Sequence, residues 1–140
     1  MKRVTGLGGI FFKTADPKQS MEWYQKHLGI QMDGSYGTSF VWRSAQNPEN
    51  KGFTAWSPMK KDTTYFSPSE QPFMINYRVE NLEALLAVLK EEGIDQVGEM
   101  ESHEYGKFAW IMDPNGVKIE LWEPFDTKYD EMVGDGVHPT

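Results

Sequence analysis

Two stretches of the chain, GGIFFKTADPKQSMEWYQKHLG (8–29) and FMINYRVENLEALLAVLKEEG (73–93), follow one plan and decide the fold. Each begins with a short apolar run, continues with a capped amphipathic helix and ends in a glycine. Asp16 and Asn81, which precede the two helices, lie 65 positions apart, and the closing glycines lie 64 positions apart. This nearly constant offset indicates the internal duplication of one structural unit.

Shorter matches support the duplication. The dipeptide Tyr36-Gly37 recurs as Tyr105-Gly106, and Trp56-Ser57-Pro58 recurs 66 positions later as Trp122-Glu123-Pro124. A single match of this size carries no information, but a shared offset across the chain does. The repeats therefore predict two units, residues 5–58 and 72–124, within one domain (1–140), with a linker (59–71) and a C-terminal arm (125–140).

Each unit has a local physical interpretation. Asp16 and Asn81 are helix N-caps, and Gly93 supplies the left-handed stop of the second helix. In the sequence Asp-Pro-Asn-Gly (113–116), the glycine takes the positive φ that closes a hairpin. Predicted strands follow each helix at 36–43, 53–56, 105–112 and 117–122. The unit is βαβββ, twice: an α+β fold whose sheet lies under the helices on one face and curves round a cleft on the other, as a partly open barrel.

Composition and charge narrow the setting. The net charge of −7 argues against nucleic-acid binding, which requires a basic surface. The absence of cysteine excludes disulfides and thiolate metal sites. The first residues, MKRVTGLGGIFFKTAD, resemble neither a signal peptide nor a membrane span, so we expect a cytoplasmic protein without membrane contact. The 14% aromatic content suggests a ligand pocket as well as a core.

The sequence resembles the vicinal oxygen chelate superfamily, which includes glyoxalase I, bleomycin resistance proteins and extradiol dioxygenases. The resemblance spans residues 5–124. Its strongest parts are TADPKQSMEWYQKHLG, MINYRVENLEALLAVLKEEG and GKFAWIMDPNGVKIELWEP. It implies the tandem βαβββ fold, but it implies the reaction much less, because one fold here hosts several chemistries.

Metal-dependent relatives place His, Gln or Glu at four strand positions around the cleft. The repeat assigns these positions to Gly9, Thr54, Met74 and Glu120. Glu120 alone is a strong ligand of divalent ions. Gly9 has no side chain, Thr54 supplies a neutral hydroxyl and Met74 supplies a thioether. The spacing of the three histidines matches no zinc pattern. We therefore expect no metal and no other cofactor; a divalent ion is expected only if these positions are wrongly assigned.

Glu120 is the candidate catalytic or anchoring residue. Alternation in Val117–Trp122 places it on the cleft face, and a three-residue turn after Asp113 would set Trp110 opposite it. The same periodicity predicts a mostly aromatic small-molecule pocket. Its predicted ligand-binding residues are Phe11, Trp56, Met74, Asn76, Phe108, Trp110, Glu120 and Trp122.

Three functions remain open at this stage. One is a metal-free protein that binds or sequesters an unidentified small molecule, or uses Glu120 as a general acid or base. Another is a metal-dependent lyase or isomerase resembling lactoylglutathione lyase, or a dioxygenase. The third is a non-catalytic dimeric interaction module whose cleft is filled by aromatic side chains. The resemblance and the open sheet edges also lead us to expect a homodimer.

Overall fold

A computed structural model describes residues 1–125 and contains one seven-stranded mixed sheet and two helices. The first unit comprises β1 (Val4–Thr14), α1 (Pro17–Leu28), β2 (Thr38–Arg43) and β3 (Lys51–Lys60). The second comprises β4 (Phe73–Val79), α2 (Leu82–Glu91), β5 (Glu101–His103), β6 (Gly106–Met112) and β7 (Lys118–Pro124). The α+β fold expected from the sequence is confirmed.

The strand order shows how the units join. The order is β2-β3-β1-β4-β7-β6-β5, so the two units meet along the antiparallel pair β1–β4. Within each unit the first strand pairs in parallel with the last, as β1–β3 and β4–β7. The sheet is open, with β2 and β5 at its edges, and does not close into a barrel.

The first unit has three strands where the repeat predicts four. Between α1 and β2 the described chain forms an isolated bridge, Asp33 to Gly37, rather than an additional strand. Gly34 and Gly37 have φ values of 62° and 126°, which turn the backbone sharply within a few residues. In the second unit the corresponding connection is longer and contains β5.

Both helices begin as their sequences predict. The Asp16 side chain accepts a hydrogen bond from the Gln19 amide (3.1 Å), and Asn81 accepts one from Ala84 (3.1 Å). These contacts satisfy amide groups that have no partner within the helix. Gly29 closes α1 in the left-handed conformation, at φ 69°.

The two faces of the sheet bury different clusters. Under α2 lies an aliphatic core whose buried members are Val79, Leu82, Leu85, Ala109, Val117, Ile119 and Leu121. The concave face buries an aromatic cluster of Phe66, Met74, Phe108, Trp110 and Trp122. The period-two alternation of β4, β6 and β7 produces this separation, because successive side chains point to opposite faces.

The segment predicted as a linker is part of the fold. β3 continues to Lys60, and Phe66 is completely buried in the aromatic cluster (0% exposed). The predicted arm, 125–140, lies outside the described residues apart from Phe125. Neither described helix is long and apolar enough to cross a membrane. The homodimer and the cytoplasmic location stay predictions, and light scattering is the direct test of the first.

Candidate functional site

The concave face of the sheet encloses a cavity of about 430 Å³. Its wall combines residues of both units with the connection between them, and most of the exposed wall is apolar. The lining residues are Gly8, Phe11, Tyr36, Ala55, Tyr65, Asn76, Glu101, His103, Tyr105, Phe108, Trp110, Glu120 and Trp122. Aromatic walls with a few convergent polar groups are the usual composition of a small-molecule site.

Glu120 and Asn76 are the most buried polar side chains of this wall, each at 2% exposure. The Glu120 Oε1 accepts a hydrogen bond from the Asn76 amide nitrogen (2.6 Å), and its Oε2 accepts one from the Trp110 indole N–H (2.8 Å). The Tyr65 hydroxyl also donates to Oε2. Three neutral donors thus offset the cost of burying the carboxylate.

The strand register brings two of these donors to Glu120. Asn76 lies directly beside Glu120 in the parallel pair β4–β7, and Trp110 lies opposite it in the antiparallel pair β6–β7. The turn that sets the second register has Asp113 N–H donating to the Val117 carbonyl (2.9 Å). The predicted pairing of Trp110 with Glu120 is confirmed.

Tyr65 reaches Glu120 from the connection between the units. The Lys118 ammonium donates to the Tyr65 carbonyl (2.7 Å) and lies over the Tyr65 and Trp110 rings, at 5.4 and 5.6 Å. These contacts hold the Tyr65 backbone against β7. Burial, and secondarily the charge of Glu120, raises the pKa of the Tyr65 phenol above its usual value, so the phenol keeps its proton. Burial lowers the pKa of the Lys118 ammonium.

Tyr65 was not among the predicted site residues, because the connection that carries it lacks periodicity. The available signal was the pair Tyr65-Phe66 in a segment otherwise rich in polar residues and proline. A solvated linker has no need of two adjacent aromatic side chains. The remaining lining residues that were not predicted come mainly from strand ends and turns; they are Gly8, Tyr36, Ala55, Glu101, His103 and Tyr105.

Six of the eight predicted ligand-binding residues line the cavity: Phe11, Asn76, Phe108, Trp110, Glu120 and Trp122. Met74 belongs to the adjoining aromatic cluster, where it is completely buried (0% exposed) rather than part of the lining. Trp122 stacks on Phe108, with ring centroids 5.8 Å apart, and donates its indole N–H to the Tyr105 carbonyl (3.0 Å).

The predicted position of Trp56 is wrong. Its ring packs against Tyr24 of α1 (4.9 Å) and Phe12 (5.3 Å), not in the cavity. The cause is a shift of one residue: the match of Trp56 with Trp122 has an offset of 66, whereas the helix N-caps lie 65 apart, and an offset of 65 aligns Ala55 with Glu120. In a strand, one residue of shift moves a side chain to the other face.

The same shift corrects the position of Thr54. Ala55, rather than Thr54, is the counterpart of Glu120 and lines the cavity. The Thr54 hydroxyl donates to the Leu7 carbonyl (2.6 Å) and accepts from the Trp42 indole (2.8 Å). It is therefore engaged within the sheet.

The residues at these strand positions do not form a ligand set for a divalent metal ion. Gly9 and Ala55 offer no ligand atom, Met74 offers a buried thioether, and the Glu120 oxygens already accept three hydrogen bonds. Across residues 1–125, no group of three or more His, Asp or Glu side chains could hold a metal. Hard cations require several converging oxygen or imidazole ligands, which this cleft does not assemble.

Comparison with known proteins identifies one family. The sequence model of the Glyoxalase/Bleomycin resistance protein/Dioxygenase superfamily matches residues 6–121. A comparison with proteins of curated function gave no significant match.

Solved structures show the same fold at low sequence identity. A methylmalonyl-CoA epimerase in complex with methylmalonyl-CoA and NH4+ has a TM-score of 0.66 at 11% identity, with 98% of this chain and 99% of that one covered. Methylmalonyl-CoA epimerase from Mycobacterium tuberculosis has a TM-score of 0.53 at 22% identity, covering 86% and 89%. The 2,3-dioxygenase LapB from Pseudomonas sp. KL28 has a TM-score of 0.59 at 20% identity, and the match covers 89% of this chain but 42% of LapB.

Proposed function

Since the chain belongs to the Glyoxalase/Bleomycin resistance protein/Dioxygenase superfamily, we propose that it binds a small organic molecule in its aromatic cavity, without a metal ion and with Glu120 as the polar anchor. The observation that carries this proposal is the carboxylate itself. Glu120 is 2% exposed, lines the cavity and accepts hydrogen bonds from neutral donors alone among the contacts of the described residues. A purely structural carboxylate would more simply be paired with a cation.

The remaining wall supports a ligand with an apolar body. Phe11, Phe108 and Trp122 expose ring surface to a volume that holds a molecule of several rings. The described lining contains neither lysine nor arginine, the side chains that most often bind phosphate groups. For this reason we do not extend the coenzyme A ligand of the epimerase structures to this chain.

A second candidate function is proton transfer to or from the bound molecule. The hydrogen bond between the Tyr65 hydroxyl and Glu120 favours it, because it places two proton-carrying groups at one point of the cavity wall. A carboxylate held beside a substrate can remove a proton and return it to another position. In that case the protein is an isomerase or lyase in which Glu120 is the base.

Thermal denaturation in the presence of a metabolite library, with and without divalent metals, tests the binding function. We expect ligands that raise the melting temperature without metal, because a molecule that binds only the folded state stabilises it. Elemental analysis of the purified protein should find no stoichiometric zinc, nickel, iron or manganese. One equivalent of any of these, lost on replacing Glu120, would contradict the metal-free proposal.

The variant Glu120→Gln keeps the side-chain shape and removes the charge. We expect it to weaken the binding of a ligand found in the library by about tenfold or more, since hydrogen bonds to charged groups contribute about 1.5–3 kcal/mol. Glu91→Gln, on the exposed end of α2, is the matched control and should leave binding unchanged. Equal affinity of the Glu120 variant and the parent would show that Glu120 is structural.

A further inference from the structure

The polar side chains around Glu120 already donate their protons to it. Asn76 directs its amide nitrogen to Glu120, an orientation that follows from the carboxylate having no proton to donate. The Asn76 Oδ1 is buried and has no hydrogen-bond donor among the described residues. Tyr65 uses its one proton on Glu120, so its oxygen keeps lone pairs for another donor.

Glu120 retains capacity for one more hydrogen bond. A carboxylate offers about four acceptor sites. Two donors, Tyr65 and Trp110, occupy Oε2, while Asn76 is the one donor found on Oε1 within the described chain. An N–H or O–H group of a ligand can therefore donate a hydrogen bond to Oε1 without displacing a protein donor.

Apart from tyrosines, the titratable side chains of the lining are two glutamates and one histidine. Glu101 lies in the same wall as Glu120, and the His103 Nε2 lies 3.1 Å from a Glu101 oxygen. The whole chain carries a net charge of −7. The electrostatic potential inside a cleft with low-dielectric aromatic walls takes the sign of the charges that line it, which is negative here.

Among residues 1–125, Lys118 and Arg78 are cations near the cavity, and both bind other groups of the chain, although the charge of Lys118 also interacts with that of Glu120. The Lys118 ammonium binds the Tyr65 carbonyl and the faces of two rings. The Arg78 guanidinium lies 5.1 Å from the ring centroids of both Trp42 and Trp122 and donates to the Phe53 carbonyl (3.4 Å). Neither residue is part of the cavity lining.

From these features we infer that the cavity selects a ligand with a protonated primary or secondary amine attached to an apolar, ring-containing body. The ammonium group would donate to Glu120 Oε1 and to the Tyr65 hydroxyl oxygen, and the rings of the wall would attract its charge. A neutral alcohol can make one of these hydrogen bonds but supplies no charge to oppose the buried carboxylate. This inference rests on the proposed ligand-binding function and narrows it to one chemical class.

Isothermal titration calorimetry with three indole compounds tests the inference on the unaltered protein. Tryptamine carries an ammonium group, tryptophol a hydroxyl group and indoleacetate a carboxylate on the same ring system. We expect tryptamine to bind at least about tenfold more tightly than tryptophol, and indoleacetate to give no measurable heat. The ranking requires no variant, so it holds whether or not a given substitution folds.

Variants then assign the preference to Glu120. In Glu120→Gln the affinity for tryptamine should fall to that for tryptophol. In Tyr65→Phe, which keeps the carboxylate, tryptamine should still bind more tightly than tryptophol. Glu91→Gln should reproduce the parent values.

The outcomes separate the two claims. If tryptophol binds as tightly as tryptamine, or tryptamine does not bind, the amine preference is wrong, whereas a neutral library ligand that depends on Glu120 would leave the proposed function intact. If no probe and no library compound binds, both are wrong. A preference for tryptamine that persists in Glu120→Gln would overturn the assignment to this carboxylate.

Discussion

The two units share a topology but contribute different kinds of side chain to the cavity wall. The first unit places Gly8 against Asn76 and lines the rest of its wall with Phe11, Tyr36 and Ala55. The second contributes Asn76, Trp110 and Glu120, which hold the hydrogen-bond network. A duplicated fold therefore does not imply duplicated chemistry: here the second half supplies Asn76, Trp110 and Glu120 of the network, and the first half supplies none of its members.

The helices show the same asymmetry. α2 buries Leu82 and Leu85 in the aliphatic core, whereas the one buried residue of α1 is Met21. Trp23 and Leu28 of α1 remain 53% and 60% exposed. The second unit thus contains most of the tightly packed interior, and substitutions there should cost more than matched substitutions in the first unit.

The largest expected difference is between two tryptophans that the sequence repeat aligns. Trp122→Ala removes a ring that is 3% exposed and stacked on Phe108, and we expect it to lower the free energy of unfolding by about 3–5 kcal/mol. Trp56→Ala, against α1, should cost about 1–2 kcal/mol because that ring is only half-buried. Urea denaturation measures both. Equal losses would contradict the asymmetry.

The next comparison concerns two glycines of β1. A methyl group on Gly8 would overlap the Asn76 Oδ1, whereas one on Gly6 would lie at ordinary contact distance, 3.4 Å from the Trp42 ring. We expect Gly8→Ala to cost about 1–3 kcal/mol by displacing Asn76 from Glu120. Gly6→Ala, the matched control, should change stability by less than about 0.5 kcal/mol.

Ligand binding sharpens the glycine comparison. Because Gly8→Ala disturbs the Asn76–Glu120 contact, it should also weaken binding in the cavity, and Gly6→Ala should not. If both variants bind a ligand as the parent does, the space provided by the first unit is not needed for the site. Calorimetry with the same ligand on the three proteins gives the answer.

The sequence predicted the second half of the site better than the first. Trp110 and Glu120 were paired correctly because the short Asp113–Gly116 turn fixes their register locally. The register between β1 and β3 is not set by any short turn, since α1 and β2 lie between them. The prediction for Trp56 therefore depended on a tripeptide match that was displaced by one residue.

The place of Tyr65 in the site depends on tertiary contacts, which sequence periodicity does not predict. Tyr65 reaches Glu120 through a segment without alternation, held in place by the buried Phe66 and by Lys118. Only the folded chain brings these groups together, because 55 residues separate Tyr65 from Glu120. Patterns of two or 3.6 residues report on local elements and not on such a return of the chain.

The smallest expected effect concerns this connection and its hydrogen bond to the second unit. Tyr65→Phe removes one hydroxyl donor from Glu120. We expect a loss of about 1.5 kcal/mol in the free energy of unfolding near neutral pH, the low end for a hydrogen bond to a charged group, because Asn76 and Trp110 still donate to Glu120. Tyr77→Phe, on the opposite face of β4, is the control for the loss of one tyrosine hydroxyl.

The pH dependence of stability tests whether the folded state holds the Tyr65 proton. The folded protein raises the pKa of Tyr65 above the value of 10.0 that is usual for tyrosine. The folded state therefore holds this proton more tightly than the unfolded state, so the associated stability is present below about pH 10 and is lost as the pH rises further. Urea denaturation should show the parent losing stability more steeply than Tyr65→Phe above about pH 10. Parallel curves for the two proteins would mean that the folded state does not raise the pKa of Tyr65, and would contradict a phenol buried against Glu120.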